Sequence, residues 1–163
     1  MIREARPDDL PRLMAIYNHY VLHSHATFDD VAFTDRSEWF SHYSHSPHHL
    51  LVAEVDGAVQ GYATSSPYRP KPGYRTTVET SVYVAHDAGG QGLGTRLYAA
   101  LMPLVDAADV HRCVAGIALP NDASVALHER FGFRRVGVFT EVGFKERWID
   151  VAWFERPTPS RPS

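Results

Sequence analysis

The architecture of this chain is inferred most directly from the segment Val82-Tyr83-Val84-Ala85-His86-Asp87-Ala88-Gly89-Gly90-Gln91-Gly92-Leu93-Gly94-Thr95. Four glycines fall within six positions, between an alternating strand-like run and a helix-like run at 95–108. Glycine lets the backbone approach a phosphate closely and adopt positive φ. The free N–H groups and the dipole at the start of a helix attract an anion. The segment therefore predicts an anion cradle, although a plain glycine turn between strand and helix has the same spacing.

Two common phosphate-binding motifs do not fit this segment. A Walker A loop ends in Gly-Lys-Ser or Gly-Lys-Thr, whereas Gly94 is followed by Thr95 and Arg96. The dinucleotide fingerprint needs a third glycine at the position of Thr95. It also needs an acidic ribose partner about 20 residues on, where His111 and Arg112 stand instead. The cradle therefore belongs to neither of these two classes of nucleotide-binding protein.

Hydrophobic periodicity on either side of the segment predicts an α/β (α+β) fold, with helices on the faces of a mixed sheet. The clearest element is a hairpin around the turn pair Asp56-Gly57. We expect the last two strands to join at Gly143. In chain order, strands are predicted at 2–5, 50–55, 59–65, 76–84, 112–117, 133–142 and 145–154, and helices after Asp9, from near Asp35, at 95–108 and at 121–131.

The composition is that of an ordinary globular protein and predicts one domain over 1–155. The chain has 163 residues, a mass of 18.3 kDa, 16 Lys+Arg, 19 Asp+Glu and a net charge of −3. A pI near 6.3 argues against a non-specific nucleic-acid-binding protein, which is usually basic. Proline recurs in the tail at 156–163, which we expect to be disordered.

The cysteine count, the histidine pattern and the apolar runs bear on three further features: disulfides, metal sites and membrane-spanning or signal segments. Cys113 is the one cysteine, which excludes an intramolecular disulfide framework, and its apolar neighbours predict a small buried side chain. His45, His48 and His49 have no acidic residue nearby, so we predict a solvated loop and no metal site. No apolar run approaches the about 18 residues of a membrane-spanning helix, and the N-terminus has no signal-peptide pattern. We therefore expect a cytoplasmic protein.

The glycine segment, the strand before it and the later run N-D-A-S-V-A-L-H-E-R-F-G-F (121–133) resemble the GNAT superfamily of N-acetyltransferases. That superfamily binds acetyl-CoA through a Q/R-x-x-G-x-G/A loop. Here Gly89 stands where Gln or Arg is usual, so we expect weaker or differently oriented pyrophosphate binding. The resemblance implies a mostly antiparallel twisted sheet of about six to seven strands with about four helices, and acetyl-CoA as co-substrate without a metal. The cofactor-binding residues that it implies are Val82, Tyr83, Val84, Gly89, Gly90, Gln91, Gly92, Leu93, Gly94, Thr95, Asn121 and His128.

Four further segments resemble the phosphinothricin and methionine sulfoximine/sulfone N-acetyltransferases of that superfamily. They are I-Y-N-H-Y-V (16–21), A-T-F-D (26–29), Y-R-T-T-V-E-T-S-V-Y-V (74–84) and V-G-F-K-E-R-W-I-D-V-A-W-F (142–154). The resemblance implies acetyl transfer to the α-amino group of a small amino-acid analogue, by direct attack in a ternary complex. It also implies a homodimer, to which we expect Lys145 and Trp148 to contribute.

Acetyl transfer from a thioester to an ammonium group needs a base, and the departing thiolate needs a proton donor. Glu79 is the candidate base because it lies mid-strand before the glycine segment, although an exposed strand position beside Arg75 fits it equally. His128 is the candidate proton donor because histidine titrates near neutrality, although a histidine on a helix surface has the same pattern. Asn121 suits the N-cap of its helix, and the resemblance adds a contact with the pantetheine arm. The oxyanion donor is expected to be a backbone N–H at the end of strand 82–84.

An amino-acid substrate also brings a carboxylate, which an arginine binds best. Arg75 and Arg69 flank a proline-rich loop, and we choose Arg75 because it lies four residues before Glu79. Phe28 would wall the substrate pocket, although an aromatic residue there equally suits the core. The expected substrate-binding residues are Phe28, Arg75, Thr76, Thr77 and Glu79.

Two alternatives stay open at this stage. The first is an acetyltransferase for another amine, such as an aminoglycoside, a polyamine or a protein N-terminus. The second is a non-catalytic acyl-CoA-binding module, which the unusual Gly89 keeps open. Replacement of Glu79 distinguishes an enzyme from a binding module, because only an enzyme has turnover to lose.

Overall fold

The computed structural model describes residues 1–159, in which seven strands form one sheet. Four α-helices and two short 3-10 turns complete the described elements. The strands are β1 (Ile2–Glu4), β2 (His49–Val55), β3 (Ala58–Pro67), β4 (Thr77–Val84), β5 (Arg112–Ala118), β6 (Arg134–Lys145) and β7 (Arg147–Pro157), and the helices are α1 (Leu10–His23), α2 (Ser37–Ser41), α3 (Leu93–Ala107) and α4 (Asp122–Arg130).

The strands lie in the order β1-β2-β3-β4-β5-β7-β6. Among the described strands, each neighbouring pair is antiparallel except β4 and β5. The predicted mixed, mostly antiparallel sheet is therefore confirmed. A parallel pair needs a long crossover, and here the crossover consists of the glycine segment and α3. β4 and β5 pair at three positions before they separate: Thr77 with Arg112, Val78 with Cys113, and Glu79 with Val114.

Helices cover both faces of the sheet. Tyr83 of β4 packs edge-on against Tyr17 of α1, with the ring centroids 5.2 Å apart. Val82 points to the opposite face because side chains alternate along a strand. On that face a Cβ added to Gly94 of α3 would lie 3.9 Å from Cγ2 of Val82. The core under α3 includes the buried side chains Leu97, Tyr98, Leu101 and Val105.

The last hairpin turns at Glu146, and the predicted join at Gly143 is wrong. β6 continues to Lys145, β7 starts at Arg147, and Glu146 has a φ of 62°. Gly143 lies inside β6, just after an irregular stretch in its pairing with β7. A Cβ at Gly143 would lie 2.3 Å from the ring of Phe28. The glycine therefore makes room for an aromatic ring and does not form the turn.

Strand β7 also extends past the predicted domain end at 155. The Arg156 guanidinium donates to both carboxylate oxygens of Asp106, at 2.7 and 2.9 Å, and to the Phe131 carbonyl oxygen at 2.9 Å. The Thr158 hydroxyl donates to the Val110 carbonyl oxygen. The predicted disorder is therefore wrong for 156–158, and the part of the predicted tail at 160–163 lies outside the described residues.

The other predicted elements are present with shifted ends. The helix expected from near Asp35 is the five-residue α2, and α3 begins at Leu93, two residues before the predicted start at Thr95. Cys113 is fully buried, as predicted, and burial raises the pKa of its thiol to about 11. Within residues 1–159, none of the helices has the length and apolarity needed to cross a membrane.

Candidate active site

A cleft of about 420 Å³ lies where β4 and β5 separate. One wall is the end of β4 and the other is the end of β5 at 116–118, while α4 and the glycine segment close its sides. All residues predicted to bind the cofactor line this one cleft: Val82, Tyr83, Val84, Gly89, Gly90, Gln91, Gly92, Leu93, Gly94, Thr95, Asn121 and His128.

The glycine segment has the geometry of an anion cradle. Gly90 and Gly92 adopt positive φ values of 78° and 67°, which residues with a side chain rarely adopt. Gly92 is the N-cap of α3, so the free N–H groups of the first helical turn lie at the cleft. A Cβ at Gly94 would lie 3.3 Å from Leu127 of α4, which shows how closely α3 and α4 approach. The segment is therefore more than a plain turn, because it directs a helix start at the cleft.

Gly89 differs from the other glycines of the segment. A Cβ at this position would meet nothing within 4 Å, and its φ lies outside the left-handed region. The space that a side chain at Gly89 would enter is therefore open, and only backbone groups form the cradle at this position.

The edge of β4 supplies a second binding feature. β4 pairs with β3 along its length, from Val78 opposite Pro67 to Val84 opposite Gly61. Its pairing with β5 stops at Glu79, so the other edge of β4 faces the cleft beyond that residue. An extended ligand with amide groups can hydrogen-bond to such an edge as another strand would.

Glu79 is the last residue of β4 that pairs with β5, and it directly precedes Thr80, where the lining of the cleft by β4 begins. Its side chain is half-buried and points to the α1 face, with Ser81 and Tyr83. Burial raises the pKa of Glu79, and the positive charge of Arg69 partly opposes this rise. A carboxylate with a raised pKa is a better proton acceptor, as a general base requires.

His128 is buried, and both of its ring nitrogens have protein partners. Nε2 lies 2.9 Å from the Tyr98 hydroxyl oxygen, and Nδ1 lies 2.7 Å from the Ser124 carbonyl oxygen. Because a carbonyl only accepts, Nδ1 carries the proton, and Nε2 accepts from Tyr98. Burial lowers the pKa of His128, which favours this neutral form. The burial of His128 excludes the alternative of a histidine on the helix surface, and its role as a proton donor stays a prediction.

Asn121 caps α4, as predicted. Its side-chain oxygen accepts a hydrogen bond of 3.1 Å from the Ser124 N–H. Asn121 also lines the cleft, so the cap and a contact with a bound ligand are compatible. The cap fixes where α4 begins and therefore which face of α4 closes the cleft.

The predicted substrate-binding residues do not all come together. Arg75 is exposed, and its guanidinium donates to the Pro72 carbonyl oxygen at 3.2 Å. Arg69, the alternative, is the arginine whose charge acts on Glu79. The Thr76 carbonyl oxygen accepts a hydrogen bond of 2.8 Å from the His111 N–H, and Thr77 is the first residue of β4. Phe28 is 41% exposed and its ring lies on β6 at Gly143, and it is not among the residues that line the cofactor cleft.

Sequence reasoning missed the part of α1 and its following loop that reaches the cleft. Tyr20 and Ala26 line it, and the Tyr20 hydroxyl donates to the Val84 carbonyl oxygen. Tyr20 sits at helical spacing with core residues, so its periodicity gave no sign of a second role. Only the family resemblance, and no residue pattern, pointed to the segments at 16–21 and 26–29.

Across residues 1–159, no group of three or more His, Cys, Asp or Glu side chains is arranged to hold a metal ion. The donors that face the cleft are backbone groups, an amide and hydroxyls, which suit an organic anion.

Fold and cleft together define an acetyltransferase of the GNAT type. The acetyltransferase (GNAT) family model matches residues 12–133, and the chain belongs to this family. It is an acetyl-CoA-dependent N-acetyltransferase.

The chain is also similar to individual members of the family. The chain is 53% identical to a phosphinothricin N-acetyltransferase of Streptomyces coelicolor, covering 96% of this chain and 95% of that protein. It is 40% identical to an L-methionine sulfoximine/L-methionine sulfone acetyltransferase of Pseudomonas aeruginosa, covering 99% and 98%. The solved structure of an acetyltransferase from Salmonella typhimurium with its cofactor acetyl-CoA matches with a TM-score of 0.95 at 34% identity, covering 100% of this chain and 96% of that one.

We predict that neutral His128 carries its proton on Nδ1 and that its pKa lies below the ordinary histidine value of about 6.5, because the side chain is buried. Because the unfolded chain binds this proton more readily, the His128 contribution to the free energy of unfolding falls as the pH drops below that value. A long-range ¹⁵N–¹H correlation spectrum followed with pH measures both properties, with the exposed histidines as reference. A charged ring at pH 6.5, or a proton on Nε2, would contradict the assignment.

Proposed function

We propose that this GNAT enzyme acetylates the α-amino group of a small amino-acid analogue of the phosphinothricin, methionine sulfoximine or methionine sulfone type. The observation that carries the proposal is the half-buried Glu79 carboxyl group at the point where β4 leaves β5. The names of the similar proteins from Streptomyces coelicolor and Pseudomonas aeruginosa support the substrate class. The proposed reaction is direct attack of the amine in a ternary complex.

The cleft is proposed to hold acetyl-CoA between β4, α4 and the glycine segment. In the proposal the N–H groups at the start of α3 bind the pyrophosphate, because Gly90 and Gly92 leave the cradle free of side chains. The free edge of β4 at 82–84 and Asn121 bind the pantetheine arm. The thioester supplies the acyl group: the C–N bond forms, the C–S bond breaks, and the departing thiolate takes up the second proton that the attacking nitrogen releases.

Glu79 is proposed as the base that prepares the acceptor. An ammonium group must lose a proton before its nitrogen has a lone pair for attack. The carboxylate of Glu79 takes this proton, directly or through one water molecule. Its raised pKa makes the transfer easier than it would be for a fully solvated glutamate.

The backbone of β4 is proposed to stabilise the negative charge that develops on the acyl oxygen. The Ala85 N–H bonds to β3 and the direction of N–H groups alternates along a strand, so the N–H groups of Val82 and Val84 point to the free edge of β4. The sheet fixes them, so they need no reorganisation during the reaction. His128 is proposed to position the two helices beside the cradle. Its hydrogen bond to Tyr98 joins α4 to α3, and its bond to the Ser124 carbonyl oxygen within α4 fixes the orientation of the ring.

Arg75, Thr76 and Thr77 are proposed to bind the carboxylate of the acceptor. They precede Glu79 by two to four residues, which places carboxylate binding and proton transfer on one short stretch of chain. Arg69 is the alternative, because its charge reaches Glu79.

Thiol release from acetyl-CoA by the purified protein tests the substrate class. We expect release with L-phosphinothricin, L-methionine sulfoximine and L-methionine sulfone, and little with ordinary amino acids, aminoglycosides or polyamines. The carboxamide of L-methionine sulfone is the matched control, and it should be a poor acceptor because it lacks the carboxylate. Release only with an aminoglycoside or a polyamine would contradict the proposed substrate class, whereas the assignment as an acetyltransferase would still hold.

Glu79→Gln should lower kcat by about 10²–10⁴-fold, the usual contribution of a general base. The Kd for acetyl-CoA, measured by calorimetry, should stay unchanged, because Glu79 lies outside the cradle. Glu129→Gln, at an exposed carboxylate on α4, is the control and should keep full activity. Unchanged turnover in Glu79→Gln would exclude the base role. A wild-type protein that binds acetyl-CoA but has no turnover with any amine would favour the binding module.

We also propose a homodimer formed through β6. This strand is at the edge of the sheet, and its hairpin exposes Phe139, Phe144 and Trp148 by 61–63%. The rings of Phe144 and Trp148 pack against each other, with centroids 4.9 Å apart. An apolar edge strand pairs readily with a second copy of the same strand, which removes both from water.

Sedimentation equilibrium tests the dimer. The wild-type protein should have twice the 18.3 kDa chain mass, and Phe144→Glu should shift it to the single-chain mass. Leu104→Glu changes an exposed apolar residue of α3 and is the matched control, which should remain dimeric. A wild-type protein that sediments as a single chain would contradict the proposal.

A cytoplasmic location is proposed on the basis of the co-substrate. Acetyl-CoA is made and consumed inside cells, so an enzyme that depends on it works in that compartment. One acetyltransferase domain, which includes the ordered end of β7, is proposed to carry the whole activity.

A further inference from the structure

The loop at 24–29, here called the acceptor loop, joins α1 to the following segment and has no helix or strand of its own. Ala26 in this loop lines the cofactor cleft, and Phe28 presents a partly exposed ring two residues later. A loop in this place contacts the cleft from the α1 face, the same face to which Glu79 points. Its conformation therefore shapes the approach of the amine.

Lys145, near the end of β6, holds the backbone of this loop. Its Nζ lies 2.9 Å from the Asp29 carbonyl oxygen, 3.0 Å from that of Thr27 and 3.3 Å from that of Tyr20. An ammonium group has three N–H donors, so each carbonyl can take one. Hydrogen bonds from a charged donor are stronger than neutral ones. Lys145 thus joins the end of α1 to the far end of the acceptor loop.

Gly143, two residues earlier on β6, holds the side chain of the same loop. A Cβ at this position would lie 2.3, 2.5 and 2.7 Å from three ring carbons of Phe28. The Phe28 ring therefore rests directly on the backbone of β6. No residue with a side chain fits at 143 unless the ring moves.

A tyrosine connects the acceptor loop to the catalytic strand. The Tyr17 hydroxyl donates to the Asp29 carboxylate and shares a hydrogen bond of 2.6 Å with the Thr27 hydroxyl. The Tyr17 ring packs edge-on against Tyr83 of β4. The loop is thus fixed on two sides, by β6 and by α1. The glycine cradle, between β4 and α3, takes no part in these contacts.

We propose that Lys145 and Gly143 are positioning residues that hold the acceptor loop, and that Phe28 is the apolar wall of the acceptor pocket. Strand β6 thereby selects the acceptor by the size of its side chain, without touching acetyl-CoA. The inference rests on the proposed transfer to a small amino-acid analogue, whose methylene and methyl groups an aromatic wall would contact.

Steady-state kinetics of the full chain tests this, with the best acceptor of the thiol-release panel. Lys145→Met keeps the length of the side chain but loses the donors, so the acceptor KM should rise about tenfold or more. The acetyl-CoA KM should change less than about twofold, because the cradle is untouched. Lys145→Arg keeps charge and donors and should restore most of the acceptor affinity.

Gly143→Ala should raise the acceptor KM by about tenfold through displacement of Phe28. Gly137→Ala is the matched control on the same strand, since a Cβ there meets nothing within 4 Å, and it should leave both KM values unchanged. In the double variant Gly143→Ala with Phe28→Ala, the added Cβ meets no ring. Its acceptor KM should therefore equal that of Phe28→Ala alone.

Equal rises in both KM values, or unchanged acceptor KM in Lys145→Met and Phe28→Ala, would overturn the inference. If Gly143→Ala fails to fold, these two variants and Lys145→Arg still decide it. Failure of the proposed function has a different signature, namely wild-type activity with another amine only. The same variants assayed with that amine then show whether β6 controls acceptor binding.

Discussion

The separation of β4 from β5 after three paired positions is the constraint on which the rest of the structure depends. Parallel strands cannot be joined by a tight turn, so the chain must cross over, and α3 is that crossover. Because the crossover begins where β4 ends, the start of α3 lies beside the gap between the two strands. The long cleft and the anion cradle are therefore two results of one strand arrangement. A ligand with a charged group and an extended amide arm, such as CoA, matches both.

Burial has opposite consequences for the two titratable side chains near the cleft. It disfavours the charged form of each, so the pKa of Glu79 rises and that of His128 falls. The carboxylate becomes a better proton acceptor, whereas the imidazole becomes a poorer one and stays neutral between Tyr98 and Ser124. The same physical effect thus makes Glu79 suited to accepting a proton and His128 suited to joining α4 to α3 through Tyr98.

Features with a local cause were predictable from the sequence. The glycine cradle and the Asn121 cap depend on residues within one turn of each other, and the sheet class followed from periodicity and resemblance. Gly143 has a distant cause, the ring of Phe28, and a glycine that makes room cannot be told from one that turns the chain. Lys145 likewise finds its partners only when the folded sheet brings α1 to β6. The roles of Arg75 and Phe28 toward a substrate remain predictions.

Gly89 is the position at which this cleft can change most freely. Its missing side chain would point into open space, and its backbone needs no left-handed φ, in contrast to Gly90 and Gly92. A Cβ at this position is consequently compatible with the fold. Selection can adjust the affinity for the co-substrate in single mutational steps at this site, while the backbone donors of the cradle are inherited unchanged.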